Sequence, residues 1–179
     1  MSLPTEAYFD LVLPTVNRPR VFVESGTFHG KTTRWARERF LVVHTIELSP
    51  VLHAEAMRDL APLGITCHLG DSRDVIPRLA ERLTAPVVWF LDAHWTNCPG
   101  AAGKDTPLPL LEELEALAQR TQGDTVIVDD VASFGRDDYQ PGWGDVSVNW
   151  IAGFFPGRET VRIKDCVVVK PVEAVATCA

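Results

Sequence analysis

The chain has 179 residues, 46% of them hydrophobic, enough for one continuous core and a single domain over 1–179. A formal net charge of −7 argues against partners held by phosphate neutralisation, so neither nucleic acid nor an anionic membrane is expected. Cys67, Cys98, Cys166 and Cys178 show no C-x-x-C spacing, Met1 to Asp10 lacks a leader pattern, and no apolar run reaches membrane-spanning length; free thiols in a reducing cytoplasm are expected.

Taken in chain order, short β-branched runs recur at Val21–Val23, Val42–Ile46, Ile65–Leu69, Val87–Leu91 and Thr125–Val128. Each is nearly continuously apolar, as a parallel strand covered on both faces must be. Segments with helical spacing separate them: Thr32–Phe40, Pro50–Ala61, Ser72–Leu83 and Leu108–Arg120. Ser49-Pro50 reads as an N-cap followed by proline at the first helical position, and Ser72 is expected to cap the helix beginning at Arg73. Gly64 and Gly123 mark two helix exits. A loop over Asn97–Pro109, a Gly- and aromatic-rich segment over Ala132–Gly144 and a helix over Val146–Phe155 follow the fourth and fifth strands. The runs Thr160–Lys164 and Cys166–Lys170 then read as a hairpin closing the sheet. The expected fold is α/β: a Rossmann-like, doubly wound, mostly parallel sheet with a C-terminal antiparallel hairpin, in three αβα layers.

In such a sheet ligands bind beyond the carboxyl ends of the strands, so the residues after each apolar run carry the chemistry. After the first strand stands Glu24-Ser25-Gly26-Thr27-Phe28-His29-Gly30-Lys31-Thr32-Thr33, a glycine turn feeding a helix. It is neither a phosphate loop nor the dinucleotide fingerprint, and Glu24 would repel a pyrophosphate while suiting a cationic ligand end. The second strand ends in Ile46-Glu47-Leu48, where a carboxylate can accept two ribose hydroxyls. The third ends in Gly70-Asp71-Ser72, with Asp71 and Ser72 on the base side or Ser72 serving only as a cap. The fourth and fifth end in Asp92-Ala93-His94-Trp95 and Asp129-Asp130, a set of hard oxygen donors suited to Mg²⁺ or a similar divalent ion.

Together, E-x-G-x-x-x-G-x-[ST] at Glu24–Thr32 and G-x-S-x-D-x-I-P-x-L at Gly70–Leu79 resemble the motif series of the catechol- and caffeoyl-CoA-type metal-dependent O-methyltransferases, over about residues 20 to 135. The resemblance implies S-adenosylmethionine (SAM) as cofactor, with Glu24 and the Gly26–Gly30 turn on the methionine part, Glu47 on the ribose, and Asp71 and Ser72 on the adenine side. The residues expected around the cofactor are Glu24, Ser25, Gly26, Thr27, Gly30, Thr32, Glu47, Leu48, Asp71, Ser72 and Asp92. It also implies a divalent cation held by Asp92, Asp129 and Asp130, and O-methylation of a small-molecule acceptor.

The chain departs from that family after Asp92, where a lysine base is usual and Ala93, His94, Trp95 and Thr96 stand instead. Asp92 and His94 are the candidate catalytic residues; an imidazole titrates at about 6.5 and can act as base, ligate a metal or merely support the wall. Tyr139 and Trp143 are candidate walls of the acceptor pocket. Two further readings keep the fold: a metal-assisted hydrolase or hydroxylase, and a SAM- or nucleotide-binding protein without catalysis. A homodimer, pairing through the C-terminal hairpin or through an outer helix face, is compatible with the sequence.

Overall fold

The computed structural model describes residues 19–103, 108–138 and 140–172. Tyr139 and Cys178 lie outside the described residues, as do 1–18 and 104–107 of the long loop. Seven strands form one sheet in the order β3-β2-β1-β4-β5-β7-β6. They are β1 (Val21–Ser25), β2 (Val42–Glu47), β3 (Thr66–Leu69), β4 (Val87–Leu91), β5 (Thr125–Val128), β6 (Glu159–Ile163) and β7 (Cys166–Lys170). The first five are parallel, and β7 pairs antiparallel with both β5 and β6. The helices are α1 (Lys31–Arg37), α2 (Pro50–Asp59), α3 (Ser72–Arg82), α4 (Leu110–Ala118) and α5 (Val148–Gly153). The expected αβα architecture and every expected element are present, with ends displaced by a turn or less.

Strict alternation along the strands builds the two outer layers. On one face Val21, Val23, Trp89, Leu91, Val126 and Val128 pack with Ile76 and Leu79 of α3, Leu114 and Leu117 of α4, and Ile151 of α5. On the other, Phe22, Val43, Val88, Phe90 and Ile127 pack with Ala36 of α1 and Ala56 of α2. Because successive side chains point to opposite faces and both faces are covered, the inner strands β4, β5 and β7 are buried almost throughout and read as apolar runs, whereas the edge strands β3 and β6 keep exposed polar residues. No helix among the described residues is long and apolar enough to cross a membrane.

Helix starts follow local chemistry, with one correction. Ser49 caps α2, its Oγ accepting from Leu52 N at 3.4 Å, and Pro50 occupies the first turn. The cap of α3 is Asp71 rather than Ser72: Asp71 Oδ1 accepts from Arg73 N at 2.9 Å, and Ser72 is the first helical residue, buried. Asp71 reaches the amide two residues on, as an N-cap does, and its charge is favoured at a helix N-terminus. Gly64 ends the short 3₁₀ turn Ala61–Leu63 after α2 at φ +79°; Gly123 is left-handed at φ +80° but lies beyond the α4 C-cap Gln119, in the turn entering β5.

Strand order reverses between β1 and β4, whose connections leave in opposite directions and open a crevice at their carboxyl ends. Asp92 N donates to Ser25 O at 3.1 Å and Gly26 N to Ile46 O at 3.0 Å, so the three strand ends are stitched together at the floor of that crevice.

Candidate functional site

The crevice is a cavity with about 200 Å³ open to water centres, lined by Glu24, Gly26, Thr27, Thr32, Glu47, Leu48, Asp71, Ser72, Asp92 and His94 among others. Nine of the eleven residues expected around the cofactor therefore face one space. Ser25 and Gly30 do not: Ser25 is wholly buried beneath the crevice, and Gly30 backs onto Leu60. Ala101, Ala102 and Gly103 of the long loop add a wall, as does the buried Gln140, whose Oε1 accepts from Trp95 N at 3.0 Å. Gln140 was invisible in the sequence, where it sits in a polar loop like any solvated residue.

The glycines of the turn serve the protein before any ligand. A Cβ on Gly26, at φ +85°, would lie 2.8 Å from the Asp92 carbonyl carbon, so this residue lets β1 and β4 approach each other. A Cβ on Gly30, at φ +68°, would lie 2.8 Å from Leu60 Cδ1, so this one lets the start of α1 pack on the end of α2. Glu24 is 1% exposed, and its Oε2 accepts from Thr33 Oγ1 and from Thr45 Oγ1, the latter at 2.8 Å. Burial pushes the Glu24 carboxyl up to about 7 against the pull of those two hydroxyls. Glu47 is held by both oxygens, Oε2 accepting from Phe28 N at 2.8 Å and Oε1 from Ser49 N at 2.9 Å. It thereby ties the glycine turn to the start of α2 while remaining on the crevice wall. Asp71 is less available than its position implied, since Arg73 pairs with it through Nη2 at 2.6 Å and Nε at 3.0 Å. That ion pair and the cap hold its carboxyl below the usual range.

At the other end the chain turns sharply after β5, with Asp130 left-handed at φ +62°, which swings its side chain toward β4. His94 Nε2 lies 2.5 Å from Asp130 Oδ2, and His94 Nδ1 lies 3.5 Å from Asp92 Oδ1. Asp92, His94 and Asp130 each bring one donor atom within 4.8 Å of the others. Asp129 is not in that group: its Oδ1 accepts from Cys166 Sγ at 3.1 Å, and it clusters instead with Asp130 and Asp165. Burial first, then the charges of Asp129, Asp130 and Glu24, drive the Asp92 carboxyl well above its ordinary range.

A small second cavity, with about 10 Å³ open to water centres and so room for one water, lies behind Asp92 and His94. Glu113 of α4 and Trp143 also line it. Four buried polar atoms on its walls have no hydrogen-bond partner: Asp92 Oδ1, His94 Nδ1, Glu113 Oε1 and Trp143 Nε1. Trp143 stacks on Phe134 and meets His94 edge-on, as a pocket wall does. Glu113 was missed, because Glu112-Glu113 on an amphipathic helix reads as solvated charge; here Glu113 is 1% exposed. Burial pushes it up to about 7 against the pull of the Ser72 and Ser25 hydroxyls.

No family model and no curated protein sequence matches this chain. Solved structures do. A Streptococcus mutans protein described as a methyltransferase, in complex with S-adenosylhomocysteine (SAH), superposes with a TM-score of 0.65 at 13% identity over 96% of this chain and 99% of its own. A protein of Klebsiella pneumoniae described as an O-methyltransferase gives 0.56 at 19% identity over 87% and 74%. An rRNA methylase from Streptococcus thermophilus gives 0.56 at 11% identity over 97% and 100%. The chain therefore has the Rossmann-like α/β methyltransferase fold, with antiparallel strands closing its C-terminal edge.

Proposed function

We propose that this protein is a SAM-dependent methyltransferase acting on a hydroxyl of a small-molecule acceptor. The observation that carries the reading is Glu24: a fully buried carboxyl on the crevice wall at the switch-point turn, hydrogen-bonded by two threonines, which would suit the cationic methionine end of SAM. Glu47, already oriented by two amides, accepts from the ribose hydroxyls with its remaining lone pairs. The SAH-bound fold relative supports the same cofactor, and the formal charge of −7 favours a small acceptor over RNA.

Asp92 and His94 form the acceptor side. Asp130 Oδ2 lies 2.5 Å from His94 Nε2 and orients the ring so that Nδ1 faces Asp92; with the shared hydrogen on Nε2, Nδ1 would present a lone pair. With SAM held by Glu24, the glycine turn and Glu47, that lone pair would take the acceptor proton as the methyl carbon passes from sulfur to the acceptor oxygen and SAH is left as the neutral thioether, with positioning supplying most of the rate. A divalent cation also fits here, since Asp92 Oδ1 and His94 Nδ1 are buried donors without partners. Such an ion would lower the pKa of an acceptor hydroxyl. The two roles of Nδ1 exclude each other, because one lone pair cannot serve both.

Titration calorimetry with SAM and SAH tests the cofactor, and transfer of a labelled methyl group to hydroxyl-bearing small molecules tests the reaction. Both ligands are expected to bind with similar affinity. Folded protein that binds neither would overturn the reading, and binding without transfer over a broad acceptor panel would leave a SAM-binding protein without this activity.

A further inference from the structure

We propose that His94 is a metal ligand through Nδ1, with Asp92 Oδ1 beside it and Asp130 as the carboxylate that orients the ring, so that the site prefers Zn²⁺, Co²⁺ or Mn²⁺ to Mg²⁺. The inference builds on the acceptor side of the methyl-transfer reading and is independent of SAM binding. It differs from the all-oxygen set Asp92, Asp129 and Asp130 that the sequence suggested.

Four observations converge. With His94 Nε2 held against Asp130 Oδ2, His94 Nδ1 and Asp92 Oδ1 face each other across 3.5 Å, both buried and both without a hydrogen-bond partner. Buried polar atoms left without partners are costly, and an ion ligated by both would satisfy the two at once. The separation fits an ion: two ligand atoms at about 2.1 Å, subtending about 110°, stand about 3.4 Å apart. Third, a carboxylate on the far nitrogen of a ligating histidine is the usual outer-sphere arrangement, fixing the tautomer and raising the basicity of the ligand nitrogen. The adjoining cavity has room for one small guest, and Glu113 Oε1 adds a further unpartnered acceptor to it. Asp129 is drawn off by Cys166. An imidazole nitrogen in place of a carboxylate oxygen moves the preference from hard Mg²⁺ toward borderline transition ions.

The test uses the full chain after chelator treatment, with Zn²⁺, Co²⁺, Mn²⁺ and Mg²⁺ added separately and followed by calorimetry, thermal shift and, for Co²⁺, visible absorption. The expected result is one ion per chain, Zn²⁺ and Co²⁺ binding at least about 100-fold tighter than Mg²⁺, and an intense Co²⁺ band of four-coordinate geometry. Asp130→Asn is expected to weaken Zn²⁺ by about 10- to 100-fold. His94→Asn should abolish the preference and the Co²⁺ band. His44→Gln, which removes the histidine pair between β2 and β3, should leave ion binding intact. Equal affinity for Mg²⁺ and Zn²⁺, or an unchanged Co²⁺ spectrum in His94→Asn, overturns the proposal. Should that variant fail to fold, the ion preference and Co²⁺ band of the unmodified chain decide it. Ion binding with no SAM binding would instead sink the methyltransferase reading and leave the ion site standing.

Discussion

On the proposed reading, Glu24 would couple SAM binding to pH. Its carboxyl titrates at about 7 in the free protein because burial outweighs two hydroxyl donors, and a cationic ligand favours the ionised form. Binding therefore expels a proton below pH 7, and SAM affinity should rise with pH up to about 7 and level off above it. Between pH 8 and pH 6 the ionised fraction falls about 10-fold, and the association constant measured by calorimetry should fall by about the same factor. Glu24→Gln should bind weakly at both values with no slope; a variant as pH-dependent as the parent would place the titrating group elsewhere. The sequence identified Glu24 from its place before a glycine turn. It could not show that the carboxyl is buried or that Thr33 and Thr45 of neighbouring elements donate to it, because both depend on how the elements pack.

At the scale of elements, the two glycines of the first turn separate a strand-to-strand constraint from a helix-to-helix one. Gly26→Ala sets a Cβ against the Asp92 backbone, which cannot move without displacing the end of β4. Positive φ alone costs an L-residue about 1 to 3 kcal/mol, and the clash adds to it. Gly30→Ala meets only the tip of Leu60, which can turn aside. Urea unfolding should show the larger loss for Gly26→Ala, together with loss of SAM binding, whereas Gly30→Ala should lose about 1 to 2 kcal/mol and keep measurable affinity. Equal losses would mean that β4 yields as easily as a leucine. The same scale explains the Asp71 correction: sequence alone marks a cap within a residue, but which of two adjacent side chains turns back depends on how α3 docks.

Across the whole molecule, the end of the sheet opposite the crevice is locked by one buried carboxylate. Asp124 Oδ1 accepts from Val87 N at 2.9 Å and Oδ2 from Trp89 Nε1 at 3.1 Å, tying the start of β5 to β4. Arg120, 4% exposed at its side chain, pairs with Asp124 and donates to the carbonyls of Ala80 and Leu83, and Arg158 donates to Asp124 O. Asp124→Ala strips a buried arginine of its counter-charge and should lower unfolding stability by about 3 to 5 kcal/mol. SAM affinity at a temperature where the variant is folded should be unchanged, because the clamp lies at the amino ends of the strands. Reduced affinity there would show that the two ends of the sheet are mechanically coupled.

The sequence by itself determined the alternation of strands and helices, the parallel class of the sheet, the closing hairpin and the polar residues at each strand end. These follow from periodicity, turn chemistry and apolar runs, which are local properties. Only the tertiary structure decided which of those polar residues meet. The left-handed turn at Asp130 carries its carboxylate to His94, Cys166 from the far hairpin draws Asp129 away, and α4 delivers Glu113 under the crevice. Each contact joins residues more than 15 positions apart, and their distances depend on how the sheet twists and the helices dock, which no local pattern encodes.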